Sequence, residues 1–583
     1  MTKLLKRLNT GQKLLLGIAA CFIVIQVYFD MRLPLYFAKI ISLLQDTSVK
    51  GIELNRYWPG MFLCLISSFL ASVISIVLIS RVISDFIAIL RQDFFEKVEH
   101  LSKENIERFT VSSLVTRCTS DIQNIQMVLF TGFQAIIKVP VISIWVYIKI
   151  SQYGLYWQLT VLATIVLCII VIALSIVLAA PYTRHVQALT DGLNRITIEK
   201  LQGTDVIRSF NAQREVNTRF NSVNKQLTHN TYKSQLPSLM MLPGVNFIMN
   251  VMNSFVYIVC AIYIIQHPIQ LQSTDFANLM TVIPYALQLM IAFMALVQVL
   301  FLFPRAKVSA SRINEVMDTI PSIQDGKGAV GLSQGRIEFR NVSFAFPDAH
   351  TDFLKNITFA CEAGSTLAII GSIGSGKSLL VDLLMRFYDV TNGEVLVDDI
   401  NVKDYTLSEL RKKISLTAQK PVLFSGTISE NIVYGCEDKI TDKEFIKNIG
   451  VMSGADEFIE KMPETYDAMV MRNGTNLSGG QRQRLTIART LANQTEIMIF
   501  DDSFSALDFK TDLMLRTNIK NNYNTSTKII IGQRIGSIKD ADKILVMDKG
   551  EIVGIGTHKE LLESCDIYRE IAFSQLTKEE IGA

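Results

Sequence analysis

Residues 366–386 of the chain read TLAIIGSIGSGKSLLVDLLMR. A β-branched apolar run, a glycine-rich turn and an apolar helical pattern follow one another in that order. This is the strand, loop and helix context of a P-loop, in which backbone N–H groups approach phosphate and the helix N-terminus adds partial positive charge. We predict that Lys377 reaches the β- and γ-phosphates of a nucleotide and that the Ser378 hydroxyl holds Mg²⁺. The predicted phosphate-binding residues are Gly371, Ser372, Ile373, Gly374, Ser375, Gly376, Lys377 and Ser378.

A second apolar run, residues 497–500, ends at Asp501, where a carboxylate would orient Mg²⁺ through water. Together with the P-loop, Asp501 predicts a site for ATP and Mg²⁺. Short β-branched runs (TLAIIG, EVLVDD, EIMIFDD, KIIIG, KILVMD) alternate with helical patterns through this half of the chain. That alternation predicts an α/β domain with a largely parallel sheet.

The first half of the chain has a different composition. Hydrophobic residues make up 49% of the 583, and the charged residues concentrate after about residue 305. Crossing a bilayer core takes about 20 mostly apolar helical residues. Six stretches meet that criterion, at about residues 14–37, 57–80, 128–150, 151–183, 234–274 and 276–304. The predicted fold is therefore multidomain, with an all-α six-helix transmembrane domain followed by an α/β P-loop nucleotide-binding domain.

The connections between the apolar stretches predict the topology. Residues 81–127 and 184–233 are long and rich in Lys and Arg, which favours the cytoplasmic side, whereas the other connections are short. Both long loops have amphipathic patterns and read as helices that continue beyond the bilayer. The predicted domains are 1–320 (transmembrane), 321–335 (linker), 336–575 (nucleotide-binding) and 576–583 (tail).

Composition excludes several classes of protein and partner. The net charge of +3 is too small for a nucleic-acid-binding surface, so no nucleic-acid partner is expected. The eight cysteines contain no CxxC pair and are expected to be reduced. Asp30 and Arg32 follow the first apolar run, which we interpret as an uncleaved span and not a signal peptide.

Between the P-loop and Asp501 the sequence contains LSGGQ at residues 477–481. With this motif the whole chain resembles the exporters of the ATP-binding cassette (ABC) family. In that family two cassettes sandwich two ATP molecules, each between the P-loop of one chain and the signature of the other. The resemblance implies a second half-transporter subunit as partner and contact with membrane lipid. It places coupling helices at loop tips near residues 112–115 and 209–215.

The resemblance also assigns roles to single residues of the cassette. Phe346 would stack on adenine, and Gln419 of the Q-loop would hold Mg²⁺ together with Ser378 and Asp501. The signature for the partner's ATP would be Leu477, Ser478, Gly479, Gly480 and Gln481. The D-loop would be Ser505, Ala506, Leu507 and Asp508.

Three positions depart from the family pattern. The residue after Asp501, usually Glu and the general base, is Asp502; the switch histidine is replaced by Gln533, which does not titrate; and Arg472 replaces an acid before the signature. Asp502 and Gln533 are therefore weak candidates for catalysis. The chain resembles the degenerate-site subunit of bacterial heterodimeric multidrug exporters, with hydrolysis mainly at the partner's site.

Other functions stay open on the sequence alone. They are a slow homodimeric exporter or lipid flippase, an importer on the same fold, and an ATP-gated channel or regulator. The expected substrate is an amphipathic small molecule, a drug or a lipid. Asp30 and Lys138 are charges within spans that contact substrate, or pair with each other or with Arg32. The expected location is a bacterial plasma membrane, multi-pass, with the cassette in the cytoplasm.

Overall fold

The computed structural model describes residues 2–45, 56–151, 155–266, 274–329, 331, 334–347, 349 and 351–575. By packing, the chain divides into two units. The first comprises the residues up to His100 together with Phe109–Thr319, and the second comprises Leu101–Arg108 together with the residues from Ile320 onward. The unit border after Thr319 lies beside the predicted domain end at residue 320. The assignment of Leu101–Arg108, a piece of the first long loop, to the second unit was not predicted.

The first unit is helical. Its helices are α1 (Thr2–Leu5), α2 (Thr10–Asp30), α3 (Leu33–Gln45), α4 (Trp58–Glu99), α6 (Val111–Thr116), α7 (Ile122–Ile150), α8 (Leu155–Gln202), α9 (Thr204–Ser209), α10 (Gln213–Gln266) and α11 (Thr274–Asp318). Helix α5 (Lys103–Phe109) belongs to the second unit except for its last residue, Phe109. A π-helical turn, Arg117–Asp121, joins α6 to α7.

Among the described residues of this unit, six helical stretches are long and apolar enough to cross a membrane, which confirms the six predicted spans. They are Thr10–Ile40, Trp58–Glu99, Val111–Ile150, Gln158–Gln202, Gln213–Ile258 and Thr281–Asp318. Because α4 has 42 residues and α10 has 54, both exceed what a bilayer requires. The prediction that the long loops continue the spans as helices is therefore confirmed. The short outer connections fall largely at residues 46–55, 152–154 and 267–273, outside the described residues.

The first span is interrupted between α2 and α3. Pro34 lies in the first turn of α3, where its missing N–H costs no hydrogen bond, so a new helix starts there. The carbonyl of Asp30 accepts a hydrogen bond from Gln288 Nε2 at 3.1 Å, and that of Met31 accepts one from Tyr285 Oη at 3.0 Å. Side chains of α11 thus satisfy backbone groups that an apolar environment leaves without water.

The described part of the second unit contains three sheets. Its strands are β1 (Ile337–Phe344), β2 (Leu354–Cys361), β3 (Thr366–Gly371), β4 (Asn392–Val397), β5 (Ile400–Asn401), β6 (Ile414–Thr417), β7 (Gly426–Thr427), β8 (Met469–Val470), β9 (Ile497–Asp501), β10 (Thr527–Ile531), β11 (Lys543–Asp548) and β12 (Glu551–Gly556). A six-stranded sheet has the order β12-β11-β3-β10-β9-β6 and is parallel except for β12. This confirms the predicted parallel sheet.

A four-stranded antiparallel sheet, in the order β2-β1-β4-β5, was not predicted as a separate layer. The run that forms β4 (EVLVDD) was predicted, whereas β2 and β5 were not, and β1 pairs with β4 across about 50 residues of sequence. The small third sheet pairs β7 with β8. Two apolar cores fill this unit, one centred on the helices after β6 and one between the two larger sheets.

The helices of the second unit cover these sheets. They are α12 (Lys377–Leu384), α13 (Leu407–Lys412), α14 (Ile428–Ile432), α15 (Lys443–Met452), α16 (Asp456–Ile459), α17 (Gly479–Ala492), α18 (Phe509–Asn522), α19 (Ile535–Ile538), α20 (His558–Ser564) and α21 (Asp566–Gln575). In the central sheet Ile531 pairs with both Ile369 and Asp501, so the carboxyl ends of three parallel strands lie level. Functional groups that follow these strands therefore meet at one edge.

Candidate functional site

A cavity of about 430 Å³ opens at this edge of the sheet. It brings together groups that lie up to 430 residues apart in the sequence, from Lys103 to Gln533. The predicted site residues that line it are Phe346, Ile373, Gly374, Gly376, Lys377, Ser378, Gln419, Asp501, Asp502 and Gln533. The remaining loop residues Gly371, Ser372 and Ser375 lie behind these and contact Lys377.

The loop between β3 and α12 has the geometry that a phosphate cradle requires. Gly376 has φ of 101°, and a Cβ there would come within 2.6 Å of Leu354 Cδ2. Glycine is therefore needed both for the left-handed backbone and for the close approach. The Lys377 ammonium donates to the carbonyls of Gly371 at 3.0 Å and Ser372 at 2.8 Å, so it is held inside the loop. Burial lowers the pKa of Lys377, and Asp501 and Asp502 oppose that shift.

The groups predicted to hold Mg²⁺ are hard oxygen donors, which fit that ion. Burial raises the pKa of Asp501, and a hydrogen bond from the Ser378 side chain opposes that shift. Gln419 lines the same cavity. Among the described residues, no group of three or more His, Cys, Asp or Glu side chains forms a metal site. When Mg²⁺ binds together with a nucleotide, it usually has few protein ligands, and phosphate oxygens complete its coordination. The ion then neutralises phosphate charge.

Asp502 and Gln533 contact each other. Gln533 Nε2 donates to Asp502 Oδ2 at 3.1 Å. Asp502 has φ of 48°, and its own N–H donates to the carbonyl of Ile531 at 2.9 Å, so its backbone is fixed against the end of β10. One oxygen of the Asp502 carboxylate, the group that would accept a proton from an attacking water, therefore already accepts a hydrogen bond from the Gln533 amide.

One end of the cavity is lined by aromatic residues. Phe346, 39% exposed, meets the ring of Tyr388 edge-on with ring centres 6.0 Å apart, and Phe353 lies on its other side. Tyr388 Oη donates to Glu107 Oε2 at 3.0 Å, and burial with this bond raises the pKa of Tyr388. A partly exposed aromatic ring at a cavity mouth provides a stacking surface for a nucleobase.

Two residues of α5 complete this end, and sequence reasoning missed both. Lys103 Nζ donates to Asp382 Oδ2 at 2.8 Å and also lies 5.5 Å from the centre of the Tyr388 ring. Glu107 follows one turn later on the same face. The sequence showed only a basic amphipathic loop, and nothing in it indicated contact with residues almost 280 positions away. The predicted tip at residues 112–115 lies in α6 of the first unit, and its role as a coupling helix stays a prediction.

The signature and D-loop lie elsewhere. None of the described residues that line the cavity comes from 477–481 or 505–508. Ser478 is the N-cap of α17, where its hydroxyl accepts from Gln481 N–H at 3.3 Å and Gln481 Oε1 accepts from Ser478 N–H at 2.8 Å. Leu477 is buried, whereas Ser478 and Gly479 are exposed. The helix N-terminus is therefore presented to solvent as an anion-binding surface.

Asp508 and Arg472 flank this surface region. Asp508 caps α18 through Thr511 N–H at 3.1 Å, and Arg534 Nη1 donates to the carbonyl of Leu507 at 3.5 Å. Arg472 is exposed in a single 3₁₀ turn, Arg472–Gly474, next to Asn473 with φ of 57°.

The sequence matches two family models of known proteins. Residues 16–293 match the ABC transporter transmembrane region, and residues 354–505 match the ABC transporter family. The uncharacterized ABC transporter ATP-binding protein YfiB of Bacillus subtilis is 31% identical over 97% of each chain, and one from Mycobacterium tuberculosis is 32% identical over 88% of each. The chain belongs to the ABC transporter family. Ile373, Lys377, Ser378, Gln419 and Asp501 of the cavity lie within residues 354–505, the part that matches the ABC transporter family.

Two further relatives of this ABC transporter are informative. An ATP-dependent lipid A-core flippase of Haemophilus influenzae is 33% identical over 72% of this chain and 71% of the flippase. A bacterial Atm1-family ABC exporter with ATP bound has the same fold, with a TM-score of 0.78, 22% identity and coverage of 98% and 99% of the two chains. The ABC transporter described here is an integral, multi-pass membrane protein of exporter fold, with the cassette in the cytoplasm.

Proposed function

We propose that this chain is one subunit of a two-chain ABC exporter whose own nucleotide site binds Mg-ATP and hydrolyses it slowly. Its LSGGQ signature would complete the hydrolytic site of a different partner subunit. On this proposal residues 1–320 form the transmembrane domain, 336–575 the cassette, and residues 321–335 and 576–583 the linker and tail. The observation that carries the proposal is the hydrogen bond from Gln533 to Asp502.

The contact between these two side chains weakens both candidate catalytic groups. Asp502 is one methylene shorter than Glu, and one of its oxygens already accepts a hydrogen bond from an amide. Gln533 can donate to phosphate but cannot take up or release a proton, so it does not replace a histidine in proton transfer. The phosphate loop and Asp501, by contrast, keep every group that binding requires. Binding without efficient turnover is the expected result.

The exposed signature supports the need for a partner. Ser478 and Gly479 are exposed and do not line the chain's own cavity, and a helix N-terminus with open space at Gly479 suits a γ-phosphate from another chain. Without that second chain neither the signature nor the site described above is complete. The D-loop at 505–508 is likewise exposed at Ser505 and Asp508.

The tip of the second long loop is exposed in the described part of this chain. Every side chain of α9 is at least partly exposed, and Phe210 directly after it is 79% exposed. Phe210, Arg214 and Arg219 line a shallow groove between α9 and α10. A large exposed aromatic beside basic residues is typical of a protein contact, and we assign this tip, near the predicted 209–215, to the partner's cassette.

The membrane domain fits an amphipathic substrate. Its spans expose a broad apolar surface, yet Asp30 accepts a hydrogen bond from Ser68 and interacts electrostatically with Lys138. Charges within spans mark substrate paths or internal pairs. The likeness to a lipid A-core flippase favours a lipid or lipid-like drug as the transported compound.

The proposal is tested by measuring nucleotide exchange at each site of the purified two-chain complex. Labelled ATP should stay at this chain's P-loop through several turnovers, and Asp502→Glu with Gln533→His should shorten its residence by allowing hydrolysis. Equal exchange at both sites in the unchanged complex contradicts the division of labour. Brisk ATPase activity of this chain purified alone contradicts it as well.

A slow homodimeric flippase is the second candidate, favoured by the flippase relative and by the carboxylate retained at Asp502. Expressing the chain without any partner and measuring lipid flipping in vesicles distinguishes the two. ATP-dependent flipping by the single chain supports the homodimer. Passive conductance would instead support a channel.

A further inference from the structure

The C-terminal helix α21 ends against the segment that carries Gln533. We call Gly532–Ile535 the switch segment; it follows β10 and leads into α19. Gln575, the last residue of α21, donates from Nε2 to the carbonyl of Gln533 at 2.7 Å. Its Oε1 accepts from the N–H of Ile535 at 2.9 Å. One side-chain amide therefore holds the backbone on both sides of Arg534.

The two hydrogen bonds satisfy backbone groups that would otherwise lack partners. Ile535 is the first residue of α19, and the first N–H groups of a helix have no acceptor within the helix. The carbonyl of Gln533 precedes that helix and is not part of the β10 ladder. Because an amide is planar, it fixes the direction of the peptide between its two contacts. Gln575 thereby fixes the backbone from which the Gln533 side chain reaches Asp502.

The helix that carries Gln575 is itself anchored. Tyr568 and Ala572 of α21 are fully buried, and Tyr568 Oη lies 2.7 Å from His558 Nδ1 of α20. The packed end of α21 therefore sets the position of its last residue. Movement of that last turn would be transmitted to the switch segment through two hydrogen bonds.

We propose that Gln575 is a positioning residue for Gln533 and that α21 sets how long ATP stays in this chain's site. The proposal rests on the assignment of the cavity as a slowly hydrolysing ATP site. With Gln575 in place, the Gln533 amide is directed at Asp502 and the cavity side of the switch segment is ordered. Without the Gln575 side chain, the switch segment is more mobile and ATP dissociates faster.

The experiment uses the full-length chain in its two-chain complex and compares Gln575→Ala with Ser574→Ala. Ser574 lies on the same turn and donates only to the carbonyl of Ile571 in its own helix. Gln575→Ala should raise the dissociation rate of labelled ATP from this site about threefold to tenfold, the effect of losing one or two hydrogen bonds. Ser574→Ala should leave the rate unchanged, and both variants should keep the melting temperature of the complex.

A second pair of variants separates positioning from a general structural effect. In a Gln533→Ala background, Gln575→Ala should add nothing, because the side chain that it positions is gone. Gln575→Glu keeps an acceptor for Ile535 but sets a carboxylate against a carbonyl, so it should release ATP as fast as the alanine variant.

Three results overturn the inference. An unchanged rate in Gln575→Ala removes the proposed role, and full additivity with Gln533→Ala shows that Gln575 acts by another route. A complex whose unaltered site retains no ATP refutes the proposed function and this inference together. If ATP is retained but the rate in Gln575→Ala does not change, only this inference fails.

Discussion

At the scale of single residues, the proposed site combines the predicted phosphate-binding groups with two positions, Asp502 and Gln533, that depart from the family pattern. Lys377, Ser378 and Asp501 are held by the loop, by α12 and by β9, and each has a contact that fixes its direction. Asp502 and Gln533 are equally well fixed, but toward each other. Two ordered side chains that satisfy one another are poorly placed to exchange a proton with water.

We expect this chain's signature to matter more for hydrolysis than its own carboxylate. Ser478→Arg puts a bulky side chain where the partner's γ-phosphate must bind, so ATPase activity of the complex should fall about 100-fold or more. Asp502→Asn removes a weak base and should change the rate by at most about twofold, since a working general base contributes about 10² to 10⁴. Steady-state ATPase and dye efflux of the complex measure both.

Thr475→Arg provides the control for the signature variant, because Thr475 is exposed in the preceding turn and the same bulk there should be tolerated. If Asp502→Asn were as damaging as Ser478→Arg, both sites would be catalytic and the heterodimer proposal would lose its basis.

The protonation of Lys377 predicts a pH dependence of ATP binding. Burial lowers the pKa of this amine in the nucleotide-free protein, and bound phosphate should raise it again. Near that lowered pKa, Lys377 is partly neutral in the nucleotide-free protein, so ATP binding should take up protons and the affinity for ATP should fall. At lower pH Lys377 is already protonated, and no uptake is expected. Titration calorimetry at pH 7 and pH 9, in buffers of different ionisation enthalpy, measures the uptake.

Lys377→Arg is the matched control, because a guanidinium stays protonated throughout this range. The variant should bind, if more weakly, without proton uptake at pH 9. Equal uptake by the variant and the unaltered chain would show that another group titrates.

At the scale of elements, α5 is the segment whose position matters most. This seven-residue helix brings a cation and a carboxylate to a cavity otherwise lined by residues between Phe346 and Gln533. The ion pair of Lys103 with Asp382 is partly exposed, with side chains 40% and 22% accessible, so its direct contribution to stability is small. We expect the effect of these two charges on the electrostatic potential at the cavity to be larger than their effect on stability.

We expect charge reversal at Lys103 to weaken ATP binding to this site. Lys103→Asp sets a second carboxylate beside Asp382 at the edge of the cavity, which repels the triphosphate, and affinity should fall about threefold to fivefold. The double variant Lys103→Asp with Asp382→Lys restores the opposite charges and should recover most of the loss. Fluorescent nucleotide binding to the full-length complex provides the measurement. If the double variant recovers no ATP binding, the geometry of the contact and not its charge determines the affinity.

At the scale of the whole molecule, the exposed tip at Phe210 predicts an effect that only the assembled complex can show. Because Phe210 is 79% exposed, Phe210→Ser should change the stability of this chain by no more than about 0.5 kcal/mol. Transport and substrate-stimulated ATPase of the complex should nevertheless fall about tenfold, since a buried aromatic anchor is lost from the interface. Efflux assays and thermal melts of the same preparations test this pair of outcomes.

Tyr232→Ser is the comparison, because Tyr232 is 62% exposed on α10 away from the tip. It should affect neither property. A loss of stability in Phe210→Ser, or equal defects in both variants, would contradict the assignment of the tip to the partner.

The sequence alone determined the elements and the local chemistry. Six apolar stretches of sufficient length had to become spans, because nothing shorter than about 20 residues crosses a bilayer and no polar alternative was available. The glycines at 371, 374 and 376 with Lys377 and Ser378 fixed a phosphate loop, because strand, turn and helix signals coincide within twenty residues. The altered positions Asp502 and Gln533 were also visible as single letters.

The tertiary structure decided which distant groups meet. The hydrogen bond between Gln533 and Asp502 follows from the parallel pairing of β9 with β10, and parallel strands are joined through long crossovers that a local pattern does not specify. The contacts of Lys103 and Glu107 with the cassette, and of Gln575 with the switch segment, join segments separated by up to about 280 residues. Local patterns encode periodicity and capping within a turn or two, whereas such contacts depend on how the completed elements pack.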